Sequence, residues 1–147
     1  MMPLPWIMVF LPWVGALLLL SLPRLRVAAA VNIGCAASSF LLAIALFTVP
    51  HGEQGWTRID ALNLPFVLLA AFVALTTAIF SAAMIAGEGV DHWRIRAYHA
   101  AFQVFLGAQY LALLSDNLGV LWVAIEIATL ASVLMVAVHR TPAAMEA

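Results

Sequence analysis

The sequence predicts an all-α integral membrane helical bundle, five transmembrane helices in a single domain over residues 1–147. Three observations carry that prediction. Apolar residues make up 66% of the chain and charged residues only 9%, and a water-soluble domain of this length has too little interior to hide so much apolar surface. Five apolar runs, about 4–22, 27–49, 64–86, 98–114 and 118–138, come close to the roughly 20 residues that cross a hydrocarbon core at about 1.5 Å per residue. The arginines segregate: with five spans, Arg24, Arg26, Arg94, Arg96 and Arg140 fall on one side and Arg58 on the other. By the positive-inside rule the first side is cytoplasmic, which places the N-terminus outside and the C-terminus in the cytoplasm of a multi-pass cell-membrane protein.

Composition also excludes whole classes of function. Net charge is −1 and all 6 basic residues are arginine. No basic patch is available to neutralise phosphates, so a nucleic-acid partner is not expected. Cys35 is the single cysteine, which rules out an internal disulfide and a cysteine-rich metal site. The 4 histidines are scattered, without metal-ligand spacing, and no phosphate loop, dinucleotide-binding glycine motif, H-E-x-x-H or G-x-S-x-G occurs. The expectation is no metal, no cofactor and no catalytic centre of the chain's own.

The first helix opens on Leu4-Pro5, where a missing N–H costs little, and carries Pro12 in its interior, where a kink is expected. The N-terminus lacks the positive region of a secretory signal, so this run reads as a retained helix. Pro23 to Arg26 is a short charged turn. In the second helix Ala30, Gly34 and Ser38 recur every four residues, a small-residue stripe that lets a neighbouring backbone approach. Asn32, Ser38 and Ser39 are suited to hydrogen bonds between helices, and Cys35 to packing. Pro50 to Asn63 is the longest polar connection. It holds Trp56, a typical interfacial anchor, and Asp60 and Asn63, which read as the N-cap region of the third helix. Thr76, Thr77 and Ser81 can bond back to their own helix, and Gly87 reads as its stop.

The fourth helix is read from Tyr98, after a polar loop over Gly87 to Ala97. His99, Gln103 and Gly107 stand at i, i+4 and i+8 and share a face. Polar groups within lipid must point into protein or a wet cavity, so that face is expected to look towards other helices. A proton relay through His99 is one reading, since histidine as a residue type ordinarily titrates near neutral pH; an interfacial histidine at a helix end is the plainer reading. Ser115-Asp116-Asn117 separates helices four and five, with Asp116 or Asn117 placed to cap the fifth.

The fifth helix carries the chain's most pointed feature. Glu126 is the one ionisable residue between Leu118 and Val138, near the middle of the span. An ionised, unpaired carboxylate there costs several kcal/mol, on the order of 3 or more, which makes a buried glutamate with a partner the expectation. Trp122, Glu126 and Thr129 share one face, and Ala124, Ala128 and Ala131 form a small-residue stripe beside it. His139-Arg140 places favourable charge at the helix end.

The run L-L-S-D-N-L-G-V-L-W-V-A-I-E-I-A-T-L-A-S, Leu113 to Ser132, resembles the antiporter-like membrane subunits of respiratory complex I, of the hydrogenase-4 and formate hydrogenlyase complexes, and of the Mrp cation/proton antiporters. Its W-V-x-I-E-x-x-T-L-x-S form is most similar to component F of hydrogenase-4. Arg58 to Leu62, R-I-D-A-L, resembles the lead-in to the family's third helix. Complex I subunits usually carry an aromatic-Trp pair just before the glutamate; here Ala124-Ile125 stands there and Trp122 lies one turn earlier. The resemblance implies that Glu126 corresponds to the proton-channel glutamate of the fifth helix, which in complete members faces a lysine on a later helix. It implies an antiporter-like fold of which these helices are only a part, three leading helices and the first two of one repeat. Proton translocation would then require further membrane subunits or helices of a hydrogenase or complex I-like assembly. The alternative is a structural membrane module that scaffolds partner subunits, with Glu126 fixing helix register as buried ionic groups sometimes do.

Overall fold

Apolar runs with little turn chemistry inside them fold here as five helices. In the computed structural model, which describes residues 4–22, 24–85 and 92–137, these are α1 (Leu4–Ser21), α2 (Leu25–Leu46), α3 (Asn63–Ile85), α4 (His92–Leu114) and α5 (Leu118–Ala137). Among the described residues the bundle is all-helical apart from a short hairpin between α2 and α3. Its strands, β1 (Gly52–Gln54) and β2 (Thr57–Ile59), pair antiparallel with Glu53 opposite Arg58. Gly55 takes φ 71° in the turn, a conformation that costs glycine little and a branched residue much. Among the described residues, four helical segments are long and apolar enough to cross a membrane: Leu4–Ser21, Arg26–Leu46, Asn63–Ala82 and Leu118–Ala137. α4 is of spanning length but more polar, and it is the helix at the centre. It packs most extensively on α5 and α1 and also touches α3 and α2, while α2 packs on α3 and α1.

Several expectations are corrected. The polar loop expected to run to Ala97 gives way to helix at His92. Arg96 explains part of this: its Nη1 donates to the Leu22 carbonyl at 2.8 Å, tying the first turns of α4 to the end of α1, and arginine is itself a good helix former. The second helix ends at Leu46, short of Val49. Phe47, Thr48 and Val49 instead donate to carbonyls three residues back, at 3.0–3.2 Å, a tightened end before Pro50. The Ala30-Gly34-Ser38 stripe lies exposed. The inward face is the opposite one, Ala28, Asn32, Ala36, Ser39 and Ala43. Asn32 and Ser39 decide the rotation, because a polar side chain gains more from burial among partners than an alanine stripe gains from contact. Gly87, Glu88, Asp91, His139 and Arg140 lie outside the described residues.

Side chains seated directly on glycines hold the helices close. A Cβ added at Gly107 would run into the Trp13 indole, and one added at Gly15 would meet Cys35 Sγ at 2.8 Å. The indole Nε1 donates to the Val104 carbonyl at 3.3 Å. Between these contacts the core is filled by Met8, Val9, Val67, Phe102, Leu106 and Tyr110 with a lining of alanines. Large apolar side chains such as Leu17, Phe80 and Leu134 point outward, as they do where the surrounding solvent is lipid.

Candidate functional site

The polar residues singled out in the sequence occupy three separate places. The first is a seam between α2 and α4. His99 and Gln103 are buried to 1% and 0% exposure, on the face of α4 that the four-residue spacing predicts. Gln103 Nε2 donates to the Asn32 carbonyl at 3.1 Å and to Asn32 Oδ1 at 2.8 Å. Further along the seam the Tyr110 hydroxyl lies against Ser39, both side chains fully buried. Tyr110 is not among the residues that the four-residue spacing on α4 singles out. The signal was there: Asn32 and Ser39 are seven apart on one helix, Gln103 and Tyr110 seven apart on another, two helical turns in each case.

The second place is Glu126. Within this chain it is exposed, not buried, which corrects the expectation of a buried glutamate. The cause is the way α5 packs. Its buried residues are Ala124 and Ala131, small enough to let the α5 backbone close on α4, and Glu126 lies two residues from Ala124, about 200° around the helix. The carboxylate is therefore turned almost directly away from the bundle. It shares that outward surface with Trp122, Thr129 and Val133. His99 and Glu126 do not share a site: one faces into the bundle and the other out of it.

The third place is the hairpin end. Asp60 Oδ1 accepts from the N–H groups of Leu62 and Asn63 at 2.9 and 2.7 Å, a side-chain cap for α3. Asn117, not Asp116, caps α5: its Oδ1 accepts from Gly119 N at 2.9 Å and Val120 N at 3.2 Å. Asp116 pairs with Arg58 at 3.3 Å, and Arg58 also meets Glu53 at 2.9 Å. The Asp116 N–H donates to the Trp56 carbonyl at 3.0 Å, so the hairpin is laced to the α4–α5 junction. Arg58 thus lies at the hairpin end, while Arg24, Arg26, Arg94 and Arg96 gather where α1 ends and α2 and α4 begin. Among the described residues no group of three or more His, Cys, Asp or Glu is placed to hold a metal ion.

No protein-family model matches the chain. A curated relative, "Hydrogenase-4 component F homolog" of Methylacidiphilum infernorum (isolate V4), is 36% identical over 143 residues, covering 95% of this chain and 30% of that protein. The chain thus spans less than a third of that relative's length. It is a multi-span helical membrane protein, distantly homologous to a hydrogenase-4 component.

Proposed function

We propose that these helices are part of an antiporter-like, proton-translocating membrane subunit, working in a hydrogenase-4 or complex I-like assembly with other membrane subunits. The observation that carries this reading is the placement of Glu126. A carboxylate near the middle of a membrane helix, turned outward from its own bundle, has no business facing lipid, where it is costly and by default functional. Its surface requires a further membrane helix that brings a cation or a hydrogen-bond donor. Moving such a cation towards or away from a carboxylate swings its proton affinity, which is the physical basis of a coupled relay. His99, enclosed on α4, is the chain's second proton-handling group. The relative's name supports a hydrogenase-type assembly, to which the chain supplies ion-handling residues.

The deciding experiment is proton uptake in vesicles holding the assembled complex, beside native-gel assembly. Glu126→Gln keeps size and most hydrogen bonding but cannot carry the proton, so uptake is lost while assembly persists. Glu126→Asp retains part of the activity. Normal assembly with undiminished uptake in the Gln variant would leave a scaffolding role. Orientation is tested in a Cys35→Ala background with membrane-impermeant thiol reagents on intact cells. Trp56→Cys at the hairpin reacts and Trp93→Cys at the arginine-rich end is protected if the N-terminus is outside; the reverse pattern discards that orientation.

A further inference from the structure

We propose that the buried seam between α2 and α4 is a water-binding site, hydrated at two levels inside the bundle. The proposal does not depend on Glu126 carrying protons. Asn32, Ser39, Gln103 and Tyr110 are 0% exposed and His99 is 1% exposed. In each, one polar side-chain atom has no hydrogen-bond partner among the described residues: Asn32 Nδ2, Gln103 Oε1, His99 Nδ1, Ser39 Oγ and Tyr110 OH. These atoms are not scattered. Gln103 meets Asn32 and Tyr110 meets Ser39, so contacts advance along α2 and α4 together and the two helices run parallel. The two rungs lie seven residues apart, roughly 10 Å, with His99 one turn from the first.

Reorienting side chains does not relieve the deficit. Turning the Gln103 amide alone would set its oxygen against two acceptors on Asn32, the carbonyl and Oδ1. Turning the Asn32 amide alone would set donor against donor. Turning both restores one bond and still leaves one amide donor and one amide acceptor unpaired. The occupant must therefore donate to an amide oxygen and accept from an amide NH₂ within a single rung. A metal ion cannot accept from Asn32 Nδ2, and an anion cannot donate to Gln103 Oε1. Water does both, and buried water in proteins typically bridges such groups. The Ser39 and Tyr110 hydroxyls lie side by side in the second rung with no well-formed direct hydrogen bond; even a direct bond would leave one hydroxyl proton without an acceptor, and a bridging water supplies it.

The test uses the whole chain in lipid nanodiscs with radiolytic hydroxyl-radical footprinting, in which bound water labels the side chains beside it. Tyr110 and His99 are labelled well above the equally enclosed Phe102 and Leu106. Ser39→Ala lowers labelling of Tyr110 several-fold and leaves His99 unchanged, whereas Asn32→Leu with Gln103→Leu does the opposite. Labelling of Tyr110 and His99 no higher than that of the apolar core, or labelling that ignores these substitutions, overturns the proposal. If the double variant does not fold, the Ser39→Ala arm decides: Tyr110 labelling that stays high above Phe102 without the Ser39 hydroxyl, or that was never above it, overturns the proposal.

Discussion

α4 and α5 invert the relation between polarity and burial familiar from soluble proteins. α4 is the helix too polar to qualify as a span by composition, and it is the most enclosed, with His99 and Gln103 inside the bundle. α5 is strongly apolar, yet among its residues only Ala124 and Ala131 are buried. With lipid as the solvent, apolar side chains lose nothing by facing out, and polar ones must find partners inside. By that logic Glu126 is misplaced, an ionisable group on the open helix. On the role proposed above, it marks the part of the surface that a further membrane helix covers.

The sharpest break of the comparison is therefore at Glu126 itself. In the chain alone in nanodiscs, Glu126→Leu removes a lipid-facing carboxylate and raises stability, by on the order of 1–3 kcal/mol. On the role proposed above, the same substitution in the assembled complex abolishes proton uptake and destabilises, because the partner's polar group would be left unpaired. A parallel measurement of unfolding in the isolated chain and assembly of the complex checks both signs. A loss of stability in the isolated chain would mean that α5 finds its partner within these five helices.

The enclosed helix breaks differently. Gly107→Val forces branched bulk into the Trp13 indole, an overpacking that costs about 1–3 kcal/mol, with the Trp13–Val104 hydrogen bond at risk as well. The matched control on the open helix is Leu130→Val at 57% exposure, expected within about 0.5 kcal/mol of the parent. Thermal unfolding in mild detergent separates the two, and equal effects would mean that α5 is as closely packed as α4.

Much of this was legible in the residues. The helices follow from runs long enough to cross a bilayer, and the buried face of α4 follows from the four-residue spacing of His99, Gln103 and Gly107. The rotation of α2 does not follow from its stripe of small residues, because such a stripe permits close packing without requiring it. Asn32 and Ser39 do require it, and they lie on the other side. The start of α4 was missed because Arg94 and Arg96 look like loop residues until Arg96 is seen bonded across to Leu22. The outward direction of Glu126 was hidden for a simpler reason. Its neighbours Ala124 and Ala128 suit packing as well as Trp122 and Thr129 suit a polar site, and the sequence does not say which face meets α4.

The smallest expected difference lies where the two helices join. Asn117 holds two N–H groups at the start of α5, and replacing such a cap by alanine costs about 1 kcal/mol, within a range of about 0.5–2. Asp116, next to it, makes an ion pair whose side chains are 49% and 32% exposed for Arg58 and Asp116, and exposed pairs contribute about 0–1 kcal/mol. Arg58 also keeps Glu53 when Asp116 is lost, which reduces the cost further. Asn117→Ala should therefore destabilise more than Asp116→Ala. The small effect of Asp116→Ala should fade as salt approaches about 1 M, where screening acts within about 3 Å, while the cap's effect persists. The two variants, unfolded side by side at low and high salt, weigh capping against ion pairing at this junction. A salt-sensitive Asn117→Ala would show that charge, not the orphan N–H groups at the start of α5, governs how the open helix is hung on the enclosed one.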